Sequence, residues 1–455
     1  MKKQIFFLIF ALFFTAHGYS QANRWYFGVN AGIDFSGVTP VALNDGVLNT
    51  NEGCSSVSDS AGNLFFYTDG ITVWDSTHQA MPNGSGLLAG TSSTQAALIV
   101  KDPVSIESYY IFTTDEIGGP NGCKYSKVDM TLNGGLGDVT IKNIALQDTV
   151  TEKLAAVSFS GTTWISIHRW GTDEYLSYRL DQSGLSTSPV ISHSGIIHNT
   201  SQIQNTYGQL KFNTCGTWAA SAVGYQDTVD LLHFNTSTGV FSHFMSIPFT
   251  DHVYGVEFSP NGSMLYVSTY STPTLYQFDL SSLNPSTIIA SQTGLSITPD
   301  IYGLQLAPDG KIYVTKSFSQ FLGVINFPDL AGPSCNYVNN GIDLDPLFLG
   351  HTSALTLPGF DQSFFKRQES CLSTTIAEQH QSELEIYPNP FKERFKVYSP
   401  GGNFIIYDLS GRIVFEMELP EGIQTIQPMI TSGFYLLKIH TRDQILSNRI
   451  IKESN

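Results

Sequence analysis

Side chains that could perform catalysis or hold a metal are spread thinly along this 455-residue chain. The 11 His residues form no HExxH pair, so each is expected to be a surface or core residue rather than a ligand. The acidic groups Asp115-Glu116 and Asp343-Leu344-Asp345 carry oxygens suited to calcium, but neither approaches an EF-hand loop. We interpret both as solvated surface. The sequence therefore predicts no catalytic, cofactor-binding or metal-binding residue, and no cofactor.

One glycine-rich segment has the composition of a phosphate-binding loop. It runs Asn133-Gly134-Gly135-Leu136-Gly137-Asp138. A phosphate loop needs a following helix whose N-terminal N–H groups face the anion, and usually a Lys. Neither follows here, so the segment is predicted to be a turn.

The cysteines show no metal-binding spacing. Cys54, Cys123, Cys215, Cys335 and Cys371 lie far apart, without a CxxC or Cys/His pattern, so a zinc site is not expected. The odd count leaves at least one thiol unpaired. Cys335 and Cys371 are predicted as a disulfide pair, because both fall near the end of one domain. The alternative of buried free thiols that pack as small hydrophobes stays open.

Composition narrows the class of protein. Lys and Arg total 23 against 39 Asp and Glu, a net charge of -16, which lacks the electrostatic footprint of a nucleic-acid binder. Aromatic residues at 12% exclude general disorder. The 40 Gly and 20 Pro favour many short strands joined by turns over long helices.

The N-terminus has the pattern of a secretory signal peptide. Lys2 and Lys3 precede an apolar run at residues 5–14, and the small residues Ser20 and Ala22 occupy the positions that a signal peptidase reads. The run is about half the length that spans a bilayer as a helix, so a retained anchor is the weaker interpretation. We predict a signal peptide at 1–22, removed during export to the periplasm.

A turn followed by a β-rich apolar run recurs through residues 23–371. The copies are centred on Gly62, Glu107, Gly161, Gly216, Gly262 and Gly310. The spacings are 45, 54, 55, 46 and 48 residues. This period is typical of a four-stranded propeller blade, so the sequence predicts an all-β propeller.

Seven blades are favoured. Six turns are counted, and the β-rich segments 24–27 and 355–365 supply a further blade built from both ends of the domain, which removes a free sheet edge. Six or eight blades are the alternatives. A pair of β-sandwiches would not produce a period near fifty.

A second domain begins after a polar linker at 372–383. Residues 384–455 carry eight acidic and eight basic side chains, whereas residues 23–383 carry a net charge of -18, because the signal segment holds +2. Two domains of unlike electrostatics are therefore joined here. The residues of the second predict a small β-sandwich, with Ser410-Gly411 as a hairpin turn.

Four ordered motifs in residues 384–455 resemble the type A C-terminal sorting domain of the type IX secretion system. They are Tyr387-Pro388-Asn389-Pro390, Asp408-Leu409-Ser410-Gly411-Arg412, Gly433-Phe434-Tyr435 and Arg449-Ile450-Ile451-Lys452. The residues matched to the sorting motif are Tyr387, Pro388, Asn389, Pro390, Asp408, Gly411, Arg412, Gly433, Tyr435 and Lys452. The resemblance implies export across the outer membrane of a Gram-negative bacterium. It also implies recognition by the translocon, cleavage by a sortase-like peptidase, and release or attachment to a surface glycolipid.

Two function classes stay open for the propeller. We favour a secreted or surface-displayed scaffold whose loops bind a carbohydrate or protein ligand, with no nucleic-acid partner. The alternative is a glycan-active hydrolase or lyase. A channel mouth lined by convergent Asp, Glu, His or Tyr would favour catalysis, and an apolar plug would favour binding.

Overall fold

The computed structural model describes residues 20–297, 300–366, 386–408, 412–441 and 445–453. The chain divides into two compact units, residues 1–372 and 373–455. Most of the predicted signal peptide and all of the predicted linker lie outside the described residues, so both stay predictions. Within the described residues, no helix is long and apolar enough to cross a membrane.

In its described residues, the first unit contains seven antiparallel sheets, which we number as blades. Blade 7 comes first in the chain and has three strands, β1 (Arg24–Phe27), β2 (Ala31–Asp34) and β3 (Val41–Leu43). Blade 1 consists of β4 (Ser55–Ser58), β5 (Leu64–Thr68), β6 (Thr72–Asp75) and β7 (Ala80–Ser85). Blade 2 consists of β8 (Ala97–Lys101), β9 (Ser108–Thr114), β10 (Cys123–Asp129) and β11 (Asp138–Gln147).

The remaining blades follow in chain order. Blade 3 has five strands, β12 (Val150–Phe159), β13 (Thr162–Arg169), β14 (Glu174–Asp181), β15 (Gly184–Leu185) and β16 (Val190–His193). Blade 4 has β17 (Leu210–Phe212), β18 (Trp218–Val223), β19 (Thr228–Asn235) and β20 (Val240–Pro248). Blade 5 has β21 (Val253–Phe258), β22 (Met264–Thr269), β23 (Thr274–Asp279) and β24 (Thr293–Ile297), with the short helix α1 (Pro285–Ala290) before β24. Blade 6 has β25 (Ile301–Leu306), β26 (Ile312–Lys316), β27 (Phe321–Ile325) and β28 (Tyr337–Asp343). The all-β propeller and the favoured count of seven are confirmed.

The predicted turns occupy equivalent places in the ring. Each of the six lies between the first and second strands of one of blades 1 to 6. In blade 5, Gly262 has a φ of 74°, which a residue with a Cβ rarely adopts, and its N–H donates to the Ser259 carbonyl. The glycine-rich segment is also a turn, since residues Asn133–Gly135 form a 3-10 turn between β10 and β11.

The ring closes through both ends of the domain, but not through the predicted strand at 355–365. Val29 and Thr352 exchange backbone hydrogen bonds of 2.9 and 3.2 Å, and the Gly359 N–H donates to the Cys54 carbonyl oxygen at 2.8 Å. The segment then ends in a 3-10 turn at Gln362–Phe365. Pro358 lacks an N–H, so this stretch cannot complete a regular ladder.

Large aromatic side chains fill the space where this closing segment meets the blades. Trp25 lies 4.7 Å from Phe35 and 5.6 Å from Phe360, measured between ring centroids. Tyr313 of blade 6 packs edge-on against Trp25 at 5.8 Å. Segments from both ends of the propeller domain are thereby held in one apolar cluster with blade 6.

The predicted pairing of Cys335 with Cys371 is contradicted. Cys335 is a fully buried free thiol in the 3-10 turn Gly332–Cys335, and burial raises its pKa. Cys54 and Cys123 are buried free thiols as well. Cys215 is the described cysteine that is disulfide-bonded, and Cys371 lies outside the described residues. Position near a domain end does not bring a thiol to the surface, which is why the prediction failed.

The second unit is built on one long bent hairpin. Its strands are β29 (Ile386–Tyr387), β30 (Phe395–Tyr407), β31 (Ile413–Ile426), β32 (Gly433–His440) and β33 (Ile445–Lys452), with β30 paired to β29, β31 and β32. A straight strand would separate Phe395 from Phe404 by about 30 Å, yet their ring centroids are 6.4 Å apart. The hairpin therefore folds over at residues 400–402, and both halves face one core, as in a small β-sandwich.

Candidate functional site

A repeated Tyr-Gly pair lies in the first strand of blades 5 and 6 and just before the first strand of blade 4. Tyr207, Tyr254 and Tyr302 are spaced 47 and 48 residues apart, and each precedes a glycine. A Cβ on Gly255 would lie 2.3 Å from the Tyr302 carbonyl oxygen, so glycine lets neighbouring blades approach at this end of the ring. This pair is a sequence signal for the site that our sequence analysis missed.

β-bulges occur at the same end of these first strands. The pairing register shifts between Val253 and Val256 in β21 and between Ile301 and Leu304 in β25. Tyr254 and Tyr302 therefore lie within the bulges rather than in the regular ladder. Bulges re-aim side chains, and they are common beside functional sites. The bulges in blades 5 and 6 thus position equivalent tyrosines at one end of the propeller.

Two further tyrosines come from loops between the second and third strands. Tyr225 lies between β18 and β19, and Tyr270 between β22 and β23. The Tyr270 ring stacks on Tyr302 at 5.7 Å and lies 6.4 Å from Tyr225, while Tyr254 meets Tyr302 edge-on at 5.3 Å. We name Tyr207, Tyr225, Tyr254, Tyr270 and Tyr302 the tyrosine cup. Tyr254 is buried and the other four are half-buried, so part of their surface meets solvent.

His252 extends the cup at its edge. Its ring stacks on Tyr225 at 3.8 Å, and its Nδ1 lies 2.7 Å from Asp227 Oδ1. Both His252 and Asp227 are half-buried. The contact fixes the imidazole orientation, so this edge presents one flat, two-ring surface.

Three glutamates lie around the cup, and two of them are occupied by loop hydrogen bonds. Glu152 is fully buried and accepts from Thr94 N at 2.9 Å, Thr94 Oγ1 at 2.8 Å and Ile117 N at 2.9 Å. Glu116 accepts from Ser92 N at 2.6 Å. Both carboxyl groups therefore hold backbone loops in place.

Glu52 differs from the other two. It lies just before β4, is 6% exposed, and its Oε2 has no hydrogen-bond partner among the described residues. The Tyr254 hydroxyl is also buried, and its side-chain interaction with Glu52 works against the larger effect of burial on the pKa of that carboxyl. Burial, and then the negative charge of Glu152, raise the pKa of Glu52 well above its ordinary value. The negative charge of Glu52 in turn contributes to raising the pKa of both Tyr207 and Tyr302.

The acidic groups that the sequence singled out are not simply solvated surface. Asp115 is 7% exposed and accepts from Asn121 N at 2.8 Å. Asp345 is 6% exposed and accepts from Leu349 N at 2.6 Å and Gly350 N at 2.8 Å. Their carboxylates organise loops, a role that spacing alone does not reveal. In the described part of the chain, no group of three His, Cys, Asp or Glu residues could hold a metal ion.

The motif Tyr387-Pro388-Asn389-Pro390 lies beside the last strand of the second unit. Asn389 Oδ1 accepts from Ile451 N at 2.9 Å, and the next residue, Phe391, forms a parallel bridge with Lys452. Both Pro388 and Pro390 follow cis peptide bonds, and Tyr387 is 79% exposed. The first and last motifs are therefore joined although they are far apart in sequence.

The other two motifs each make a hydrogen bond to a residue close by in the sequence. Asp408 accepts from Arg412 N at 3.0 Å and from Arg412 Nε at 3.2 Å, while Gly411 lies outside the described residues. The Tyr435 hydroxyl donates to the Thr431 carbonyl at 2.7 Å. Gly433 pairs with Lys452, so the third motif also meets the fourth.

Comparison with known proteins identifies the second unit. Residues 385–453 match the family described as "Secretion system C-terminal sorting domain". A search of curated proteins found no match to the chain.

Solved structures that resemble the chain are distant. A protein from Lactobacillus plantarum has a TM-score of 0.46 at 15% identity, covering 74% of this chain and 99% of its own. A putative 6-phosphogluconolactonase from Bacteroides uniformis has 0.45 at 12%, covering 71% and 98%. The Cps50 (Swd1) beta-propeller domain from Myceliophteria thermophila has 0.40 at 8%, covering 65% and 94%. Likenesses at this level carry no argument about what this chain binds. The sheets and the family match together show that this chain is a β-propeller protein with a type IX secretion sorting domain.

Proposed function

We propose that the propeller binds a carbohydrate or protein ligand in the tyrosine cup. Tyrosine combines an apolar face with a polar hydroxyl, and partly exposed, pre-positioned rings lose little conformational entropy when a ligand packs on them. Residues from neighbouring blades and their loops meet at these rings, and loops held by a rigid scaffold are common places for ligand sites.

The observation that carries this proposal is the contact between half-buried tyrosine rings that come from different blades and loops. A stacked set of rings that is partly open to solvent offers a ligand both apolar faces and hydroxyl groups.

A glycan-active enzyme is the second candidate, because Glu152 contacts Thr206, the residue next to Tyr207 of the tyrosine cup. Glycoside hydrolysis needs two working carboxyl groups, one on either side of the bond that is cleaved. Glu152 and Glu116 are already held by backbone N–H groups, which leaves Glu52 as the carboxyl with an open oxygen. This count supports binding over acid–base chemistry.

Replacing Tyr270 by Ala tests the proposed site. Ligands found by screening the full-length protein on a glycan array should bind at least about tenfold more weakly, because a stacking aromatic face is lost. The matched control is Tyr276→Ala, since Tyr276 is also half-buried in blade 5 but packs against Phe249 in another part of the blade. Equal loss in both variants would contradict the site. Turnover of a bound glycan that disappears in Glu52→Gln would replace binding by catalysis.

The sorting domain indicates routing by the type IX secretion system, to the medium or to the outer surface of the cell. We add as proposals that the signal peptide at 1–22 first directs the chain to the periplasm, and that a sortase-like peptidase then releases it or joins it to a surface glycolipid.

Deleting residues 384–455 should abolish appearance of the propeller outside the cell. We expect the truncated protein to accumulate in the periplasm, measured by fractionation and immunoblotting in a host that has this secretion system. Replacing Ser447 by Ala, in the same domain but outside the four motifs, is the control. An undiminished extracellular level after the deletion would refute the routing.

A further inference from the structure

We infer that the propeller docks on a zwitterionic lipid bilayer through an exposed apolar loop that follows β28. The loop consists of residues 346–350, Pro-Leu-Phe-Leu-Gly, which we name the apolar tip. Leu347, Phe348 and Leu349 are 62%, 86% and 58% exposed. Three consecutive large apolar side chains that project into water call for a partner that covers them. This inference goes beyond the tyrosine cup and does not depend on it.

The apolar tip is held in one conformation by the residue that precedes it. The carboxylate of Asp345 accepts from Leu349 N at 2.6 Å and from Gly350 N at 2.8 Å, and its backbone carbonyl accepts from Phe348 N at 3.0 Å. Leu344, one residue earlier, is fully buried in the apolar cluster of blade 6. The three side chains are therefore presented by an ordered loop, and little ordering remains to be done when they are covered.

A neighbouring loop adds a second exposed phenylalanine. Phe318, 53% exposed, lies between β26 and β27. Two residues further on, Gln320 Nε2 donates to the Asp345 carbonyl at 3.3 Å, and the Gln320 carbonyl accepts from Leu344 N at 2.8 Å. The φ angles of Phe318 and Phe348 are 47° and 58°. Bulky residues rarely adopt this left-handed backbone, and such strain is concentrated at functional sites.

The backbone of the apolar tip suits lipid. An N–H group that enters hydrocarbon without a partner is strongly unfavourable. The N–H groups of Phe348, Leu349 and Gly350 are bonded within the loop, and Pro346 has none. A protein interface usually surrounds its apolar anchors with a polar rim, whereas no residue from 346 to 350 has a polar side chain. These features favour a bilayer over a protein pocket.

Charge selects the kind of lipid. Residues 23–383 carry a net charge of -18, so an anionic membrane surface would repel the propeller at low ionic strength. A zwitterionic surface has no net charge and imposes no such penalty. We therefore take phosphatidylcholine as the probe.

The apolar tip lies at the same end of the ring as the tyrosine cup. The β26–β27 loop with Phe318 is the blade 6 counterpart of the β18–β19 and β22–β23 loops, which carry Tyr225 and Tyr270. Equivalent loops of successive blades lie at one end of such a ring. Docking through the tip would therefore turn the end that carries the cup towards the lipid surface.

Co-sedimentation with phosphatidylcholine vesicles tests the inference. The chain would begin at Asn23, because the apolar run at 5–14 could itself enter a bilayer. Phe348→Asn should raise the lipid concentration that binds half of the protein at least about tenfold, since a buried phenylalanine ring is lost. Asn accepts left-handed backbone more readily than Phe, so the variant should fold, and an unchanged melting temperature verifies this. The matched control is Ile106→Asn, at a residue 72% exposed between β8 and β9, at the opposite end of the ring; its effect should stay below about twofold.

Lipid composition and self-association supply the remaining outcomes. Adding phosphatidylglycerol to the vesicles at low ionic strength should weaken sedimentation, and stronger sedimentation would overturn the inference. Equal effects of Phe348→Asn and Ile106→Asn would also overturn it. If light scattering showed a dimer that Phe348→Asn dissociates, while the wild type ignored the vesicles, a second copy would cover the apolar tip instead of lipid. A wild type that neither sediments with vesicles nor self-associates would leave a protein pocket as the cover and overturn docking on a bilayer.

Discussion

Replacing Lys211 by Met is expected to lower the free energy of unfolding of the propeller by about 3–5 kcal/mol. Lys211 and Glu257 lie on the first strands of blades 4 and 5, with side chains 4% and 1% exposed and Nζ 3.4 Å from Oε2. Gln305, on the first strand of blade 6, accepts a further hydrogen bond from the same Nζ. Removal of the lysine leaves a buried carboxylate whose other donors are the N–H groups of Phe258 and Leu306.

Denaturant titration followed by tryptophan fluorescence would measure this loss. All five tryptophans precede residue 219, so their emission reports on the propeller alone within the full-length chain. The informative control is the double variant Lys211→Met, Glu257→Leu, which removes both charges and should recover most of the loss, because a well-packed apolar pair often equals a buried ion pair. If the single variant lost less than about 1 kcal/mol, the pair would contribute no more than an exposed one.

The propeller could be predicted from the sequence repeat, because each repeated turn has a local physical cause. Gly262 and its counterparts adopt turn conformations wherever two strands must reverse, so their spacing directly reports the blade period. The sorting domain was identified in the same way, from four motifs with fixed chemistry. The closing segment at 355–365 was predicted as a strand from its apolar residues, but Pro358 and the need to cross from blade 7 to blade 3 prevent regular pairing.

The cup was not predicted, because its residues meet only in three dimensions. Glu52 is some 200 residues from Tyr254 and has no sequence signal beyond the glycine that follows it. The Tyr-Gly pairs did carry a signal, since equivalent positions in successive blades point to one end of a ring. Aligning the repeats with each other, rather than searching for known catalytic motifs, would have placed Tyr207, Tyr254 and Tyr302 together. Which carboxyl group lacks a partner depends on loop hydrogen bonds that no pattern reveals.

The stability of the propeller is expected to fall steeply below pH 6.5 because of a buried histidine pair. The rings of His168 and His198 stack at 3.6 Å, both residues are fully buried, and none of their four nitrogens has a hydrogen-bond partner among the described residues. Burial, and then neighbouring groups that include Lys153, lower the pKa of both imidazoles well below the ordinary value. Below pH 6.5 the two imidazoles therefore bind protons in the unfolded chain but not in the folded chain. Their contribution to the free energy of unfolding is complete above pH 6.5 and is lost on acidification.

Each histidine should cost about 2 kcal/mol by pH 5, since its unfolded pKa is about 6.5 and each pH unit is worth about 1.4 kcal/mol. Other ionisable groups near the pair do not account for this fall in unfolding free energy between pH 6.5 and pH 5. The pKa of Lys153 is lowered to about 7, so this lysine makes stability depend on pH mainly above that value. Burial raises the pKa of Asp230, and a raised carboxyl pKa makes stability increase on acidification, which is the opposite direction.

The double variant His168→Phe, His198→Phe isolates the effect. Phenylalanine preserves the stacked aromatic pair and sacrifices no hydrogen bond, because the imidazole nitrogens make none among the described residues. Unfolding free energies from tryptophan emission at pH 5 and pH 7.5 should then differ by about 4 kcal/mol less than in the wild type. His243→Phe, at a side chain that is 42% exposed, should leave the wild-type dependence in place. A pH dependence that persisted undiminished in the double variant would mean that other groups, the carboxylates foremost, carry the acid sensitivity.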